Sequence, residues 1–237
     1  MRREKSVILC VLALVLAAVC GCGRMSAQEP YAGTSGKTYG SDANTKATET
    51  DMTARSEKHS DNKLYELTRR RRSVRSYAPE PIDDSVLKEI MKVALTAPSS
   101  FGHRPVEYVI VRDRDMIRRI GACKLMGGSQ INGAGAVIVV MVRTADKREA
   151  EFWIEDGAIA SSYILLAAEQ YGLGACWVHI RNRRGQRGTS DEEIRALLSV
   201  PDGYTVLNLV AIGTKGESKR AYTDADLPME KVHWDKY

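Results

Sequence analysis

Large apolar residues fall along this chain in three regimes. They are nearly continuous from Val7 to Val19, almost missing from Gly23 to Asn62, and periodic from there on. The first regime, within "MRREKSVILCVLALVLAAVCGCG", has a basic start, an apolar run and small residues before Cys22, which is the layout of a secretory signal. The run is short for a membrane span, which needs roughly 20 residues. The middle regime is rich in Ser, Thr, Gly, Ala and charge, and it holds too little apolar surface to offset the entropy of ordering. It reads as a flexible tether over 23–62, joining a leader (1–22) to one globular domain (63–237).

In the third regime helical and strand patterns alternate. "DNKLYELTRRR" opens at Asp61 as N-cap. "DDSVLKEIMKVALTAP" sets Val86, Leu87, Ile90, Met91, Ala94 and Leu95 at helical spacing, with Asp83 or Asp84 as cap and Pro98 past the end. "VEYVIVR" predicts a strand, "RDMIRRIGACK" a short helix, and "GAVIVVMV" a strand covered on both faces. "EAEFWIEDGAIASSYILLAAEQYGLG" predicts one long central helix stopped by Gly172 and Gly174, followed by the strand "ACWVHI". "TSDEEIRALLSV" places Ser190 and Glu193 in capping-box positions, and "YTVLNLVAIG" is the last strand. About five helices and four strands result, an order that by itself allows a parallel doubly wound sheet. The tail after Gly213 carries Tyr222, Leu227, Met229, Val232, Trp234 and Tyr237. So many large apolar groups predict that it wraps a partner or its own domain.

"LAAVCGC" resembles a bacterial lipobox, with Cys22 as the lipidated residue, Cys20 as the runner-up, and an ordinary signal cut after Ala27 as the alternative. A diacylated Cys22 would anchor the chain stably at a membrane. The expected location is therefore the periplasmic or outer face of a bacterial membrane. Arg2 and Arg3 raise twin-arginine export, but Glu4, Lys5 and Ser6 stand where that signal wants a hydrophobic residue. Of the five cysteines only Cys123 and Cys176 lie in the folded part, too few for a disulfide framework. Cys176 reads as a small buried residue, and a single bridge is the alternative.

The net charge of +5 is modest. Without an aromatic stacking series beside the basic residues it argues for no nucleic-acid partner. There is no glycine-rich phosphate loop, no metal-ligand spacing and no nucleophile elbow. His103 and His179 read as structural residues before catalytic ones. The most pointed feature is "RRRRSVRSY" from Arg69. Arginines at a helix end complement its dipole, but Arg72, Ser73 and Arg75 follow the helix on extended backbone. Two guanidiniums and a hydroxyl can there converge on a phosphate with bidentate geometry.

"RRRSVRSYAPEPIDDSVLKEIMKVALTAPSSFGHRPVEYVIV" resembles the opening of the FMN-dependent nitroreductase family. "WIEDGAIASSYILLAAEQYGLGACWV" is similar to the family's central helix and following strand, and "VLNLVAIGTKGESKRAY" to its last strand and basic turn. The blocks run in order from about Lys63 to Tyr237. The resemblance implies an α+β three-layer sandwich with a central, mainly antiparallel sheet flanked by helices. It also implies an intertwined homodimer with FMN at the interface and C-terminal arms that cross to the other subunit.

Position by position, it sets Arg71, Arg72 and Ser73 around the FMN phosphate and ribityl chain and Arg75 at the pyrimidine edge. A cation there would stabilise the charge that two-electron reduction puts on that edge. Ser99, Ser100, Gly102 and Arg104 fall on the segment that runs from the partner along the ring. Val178 and His179 fall by the flavin's reactive nitrogen, and Lys219 or Arg220 on the basic turn that completes the phosphate site. Many members have asparagine at Gly102, glutamine at Arg104 and tryptophan at Val106, so the ring contacts are altered here. Another branch carries Glu-Gly at His179 and Ile180, and its substrate range does not transfer.

The implied activity is a ping-pong oxidoreductase that reduces nitro-aromatic, quinone or other electron-poor conjugated small molecules. Its electrons would come from NADPH, NADH or a membrane redox partner, with no catalytic side chain assigned because the flavin carries the chemistry. Two alternatives stay open: a surface-tethered flavin-binding protein with little turnover, and an anchored basic module for nucleic acid or anionic lipid.

Overall fold

The computed structural model describes residues 62–237. The leader, Cys22 and the tether up to Asp61 lie outside the described residues. β1 (Val106–Val111), β2 (Ala136–Arg143), β3 (Gly174–His179) and β4 (Tyr204–Gly213) form one sheet in the order β1-β2-β4-β3. All three neighbour pairs are antiparallel, with Val109 opposite Val139, Val139 opposite Leu209, and Cys176 opposite Ala211. The register slips once, at a bulge between Val140 and Met141.

The helices are α1 (Lys63–Arg70), α2 (Asp84–Leu95), α3 (Arg114–Ala122), α4 (Lys147–Glu151), α5 (Trp153–Gln170) and α6 (Ser190–Leu198). They cover both faces of the sheet. Val137, Val139, Leu209 and Ala211 point to one side, where Ile117 and Ile120 of α3 and Ile194 of α6 close a core. Alternate residues Ala136, Ile138, Val210 and Ile212 point to the other, where Leu87 and Ile90 of α2 and Ile164 and Ala168 of α5 close a second. The unbroken apolar run of β2 is explained by this double burial, and the α+β sandwich has the expected three layers. No helix among the described residues is long and apolar enough to cross a membrane.

Several local expectations shift. The parallel doubly wound alternative is excluded: among the described residues the one parallel contact is an isolated bridge, Ser73 to Ala175. Chain order says nothing of strand direction, and here α3 and α6 are excursions between neighbouring or near-neighbouring antiparallel strands. Asn62, next to the undescribed Asp61, caps α1, its side chain accepting from the Tyr65 N–H at 3.0 Å. Asp83 caps α2.

The capping box of α6 sits one residue earlier than expected, on Thr189 and Glu192. Thr189 has the extended backbone a cap requires, whereas Ser190 is already helical and buried. The long helix is interrupted at Phe152, where φ −115° and ψ 21° separate α4 from α5. That makes six α-helices among the described residues rather than five. Gly172, at φ +72°, supplies the stop after α5, while Gly174 opens β3. Cys123 and Cys176 are both buried free thiols, so the bridge is excluded.

The first part of the tail packs on its own domain. The Tyr222 N–H donates to the Arg69 carbonyl at 2.9 Å, and the Tyr65 hydroxyl donates to Asp224 at 2.6 Å. Met229, Val232, Trp234 and Tyr237 beyond it are exposed.

Candidate functional site

α1 ends at Arg70, and the chain runs extended along the start of β3. The Val74 N–H donates to the Ala175 carbonyl at 3.0 Å, and Tyr77 donates its hydroxyl to the Val74 carbonyl at 2.7 Å. Burial pushes the Tyr77 phenol far above its usual range, so it remains a donor. The small Gly174 permits this approach, since a Cβ there would stand 2.6 Å from Val74 Cγ1.

A cleft of about 450 Å³ opens beside this segment. Arg70, Arg72 and Val74 line one side and the turn from Lys215 to Lys219 the other. Residues 70, 72 and 74 share the cleft side, a set that includes Arg72 but neither Ser73 nor Arg75. Arg70, at the end of α1, lines the cleft. Arg71, Ser73 and Arg75 do not, and Arg75 instead reaches back towards the Ser73 carbonyl at 3.5 Å.

The basic turn is fastened to the arginine segment at several points. Lys219 Nζ donates to the Ser73 carbonyl at 2.5 Å and pairs with Glu217 at 3.3 Å. Glu217 accepts from the Arg75 and Ser76 N–H groups at 2.6 and 3.3 Å. Those bonds, the one from Arg75 foremost, hold its carboxyl below the usual carboxylate range. Lys215 pairs with Glu169 at the end of α5, at 2.9 Å. Arg220 turns away from the cleft and forms a two-pronged pair with Asp226 at 2.5 and 2.6 Å. Its carbonyl accepts from Arg72, whose guanidinium lies 4.4 Å from the centre of the Tyr222 ring.

No carboxylate pairs with Arg70 or Arg72 among the described residues. Glu217 borders the same cleft but pairs with Lys219, so Arg70 and Arg72 leave the cleft net positive, which fits a phosphate dianion.

β3 is an edge strand, and beyond the Ser73 bridge no described strand pairs with its outer side. From Ala175 to His179 it rises about 14 Å, at roughly 3.4 Å per residue. At its far end Val178 is buried, while His179 is exposed and accepts at Nδ1 from the Trp177 indole at 3.1 Å. Partial burial of the ring, then the charges of Arg183, Lys124 and Arg181, hold the imidazole below its usual pKa. Lys124 Nζ, in a residue only 8% exposed, donates to the His179 carbonyl at 2.5 Å.

Ser99, Ser100, Gly102 and Arg104 lie elsewhere, on the loop that enters β1. β1 and β3 are opposite edges of the sheet, three strand spacings or about 14 Å apart. One protomer therefore does not bring this loop to the arginine cleft. The loop is nonetheless built precisely enough to matter: Asp156, buried in α5, accepts from the Ser100 N–H at 2.8 Å and hydroxyl at 3.0 Å. Ser99 Oγ accepts from the Arg104 N–H at 2.8 Å. Phe101, Gly102 and Arg104 all have positive φ, and the Phe101 side chain stands 78% exposed.

Sequence reasoning missed Glu169, Lys215, Glu217, Asp156 and Lys124. A signal existed for two of them. Asp156 and Glu169 are charges on a helix otherwise read as apolar and central, and a buried carboxylate needs a partner.

A family model described as the nitroreductase family matches residues 68–131 and 122–214. A putative NADH dehydrogenase/NAD(P)H nitroreductase of Archaeoglobus fulgidus is 29% identical over 168 residues, covering 70% of this chain and 94% of its own. An FMN reductase [NAD(P)H] of Bacillus subtilis is 28% identical over 188 residues, covering 70% of this chain and 71% of its own. Among solved structures, an FMN-dependent nitroreductase from Clostridium difficile R20291 is 38% identical and superposes with a TM-score of 0.68, covering 72% of this chain and 98% of its own. With a family model spanning most of the domain, an all-antiparallel three-layer sandwich, and an arginine cleft at the edge strand, the chain belongs to the nitroreductase family.

Proposed function

We propose that this chain binds FMN along the outer edge of β3 and acts as an FMN-dependent NAD(P)H oxidoreductase for nitro-aromatic, quinone or other electron-poor conjugated compounds. The observation that carries this is the cleft of Arg70, Arg72 and the Lys215–Lys219 turn at the start of that edge. When bound, FMN would supply the two-electron redox chemistry between a nicotinamide donor and the acceptor. The protein's part is to hold and orient. Arg70, Arg72 and Lys219 bind the phosphate, Ser73 and Arg75 follow the chain and pyrimidine edge, and the backbone at Val178 and His179 meets the reactive end.

The same reading makes the working unit a homodimer. The Ser99–Arg104 loop stands on the far edge of the sheet and would serve the cleft of a second copy. An apolar groove of about 470 Å³, lined by Leu64, Leu67, Val93, Tyr163 and Leu166, lies open beside α5. The exposed Trp234 and Tyr237 give the tail apolar surface with which to cross over. Turnover would be ping-pong, donor and acceptor using the site in turn. Lipidation at Cys22 places the enzyme at a membrane, where a membrane redox partner is the other electron source. Incorporation of labelled palmitate into the parent but not into Cys22→Ser tests that placement.

The primary test is the visible spectrum of the protein purified with its native cofactor, before and after anaerobic NADPH and NADH. A flavin spectrum that bleaches supports the enzyme reading, and a colourless protein that cannot be loaded with FMN refutes it. Light scattering that returns a monomer refutes the shared site.

A further inference from the structure

Beyond β3 the chain runs "RNRRGQRG", with arginines at 181, 183, 184 and 187. Arg69, Arg112, Arg118, Arg148, Arg195 and Arg220 each pair with a carboxylate. The four arginines of this loop are exposed and have no such partner among the described residues. The two carboxylates built into the loop bond to N–H and hydroxyl groups rather than to guanidiniums, and the four arginines outnumber them. Glu193 accepts from the Arg187 and Gly188 N–H groups at 2.6 and 3.2 Å, and Glu192 from the Thr189 N–H and hydroxyl at 2.9 and 2.8 Å. Lys124, which feels the charge of Arg183, adds a buried ammonium that donates to a carbonyl.

This loop is held rigidly. Arg184 bridges Thr189, the Gly185 N–H donates to the Gly188 carbonyl at 2.9 Å, and the Leu125 N–H to the Arg184 carbonyl at 3.0 Å. Gly185 leaves no room for a side chain, since a Cβ there would collide with Glu193 Oε1 and stand 3.0 Å from the Cys123 carbonyl oxygen. Four guanidiniums fixed beside only two carboxylates leave the loop net positive, so the arrangement favours an anion from outside.

The neighbouring surface indicates its shape. A cleft of about 710 Å³ opens beside the loop between α3 and α6, with Arg119, Gln186 and Arg187 at its polar wall and Ala122, Ala196 and Leu197 at its apolar floor. Glu192 and Glu193 also border it, their carboxylates already bonded as above. An apolar floor beside guanidiniums suits a flat base that carries phosphates. Arg183 is four residues from His179, within about 14 Å along even a fully extended chain.

We infer that the Arg181–Arg187 loop and the α3/α6 cleft receive the adenosine-phosphate end of the nicotinamide donor, and that they favour the dinucleotide carrying a ribose 2′-phosphate. The inference rests on the FMN reading above, which puts the reactive end of the flavin at His179. A small polyanion fits better than a protein surface, because a stable protein interface needs roughly 800 Å² from each partner, whereas the unpaired charge is confined to one loop.

The test uses FMN-loaded full chain and the variant R181Q/R183Q/R184Q/R187Q, whose altered side chains have no partners to lose. Adenosine 2′,5′-bisphosphate titrated calorimetrically into the parent should bind at least about tenfold more tightly than 5′-AMP, as a charge-assisted contact or two requires. In the variant that margin should vanish. In stopped flow the variant's KM for NADPH should rise about tenfold or more against a smaller rise for NADH, with reduction by dithionite as in the parent. Equal affinities for the two nucleotides in the parent, or an unchanged ratio of the two KM values in the variant, overturn the inference alone. A flavin bleached by dithionite but by neither dinucleotide overturns the donor reading and this inference with it.

Discussion

Replacing Asp156 by alanine removes the carboxylate on which the Ser99–Arg104 loop hangs. The side chain is 2% exposed and accepts two bonds from Ser100, at 2.8 and 3.0 Å. Bonds to a charged acceptor contribute about 1.5–3 kcal/mol each. The loop's outer face is already wet, with Phe101 to Arg104 exposed, so water can replace part of what is lost. Two such bonds sum to about 3–6 kcal/mol, and with water replacing part of it a net loss of about 2–4 kcal/mol is expected. For a domain of this size that lowers Tm by roughly 5–15 °C.

Asp156→Asn keeps an acceptor oxygen in place and should lose only about 1 kcal/mol. If the loop serves the flavin of a second copy, releasing it also weakens FMN binding, more than about tenfold for alanine and only a few-fold for asparagine. Thermal unfolding with and without FMN, and titration of flavin fluorescence, measure both effects. Alanine and asparagine variants with the same Tm and the same FMN affinity as the parent would refute the reasoning.

Arg72→Ala should weaken FMN binding about 10–100-fold by flavin fluorescence titration, and Arg72→Lys should recover only part of it, because lysine cannot copy the bidentate fork. Tyr222→Ala, which removes the ring under that guanidinium and leaves the charge, should cost about 1 kcal/mol of that affinity at most. Gly174→Ala drives a methyl into Val74, with 2.6 Å to Cγ1 and 2.8 Å to Cβ, and should destabilise the domain by about 1–3 kcal/mol in urea unfolding while loosening FMN. His179 is held below its ordinary pKa of 6.5, so the unfolded chain takes up its proton first as the pH falls. The stability this residue contributes is present above pH 6.5 and lost as pH falls through the lowered folded value, and urea midpoints from pH 7.5 to 5 should decline less in His179→Gln than in the parent.

Periodicity was enough to place every strand of the sheet and most of the helices, because burial on one or both faces writes itself into the order of apolar residues. β2 and β4 are read almost to the residue for that reason, and the ordered motif blocks were enough for the family. Caps were legible only to within one position, since Thr189 and Ser190 are chemically equivalent caps and only backbone conformation chooses between them. Strand direction was not legible, because an apolar run is the same run read in either direction. Nor was the side of the extended segment on which each arginine falls: a shift of one residue exchanges the two sides, and the Ser73 bridge to β3 decides it. The partners Glu217, Lys215, Asp156 and Lys124 come from parts of the chain that only packing brings to the cleft, the loop and the strand end. Local sequence determines what each segment buries, while which charges meet depends on contacts between residues far apart in the chain.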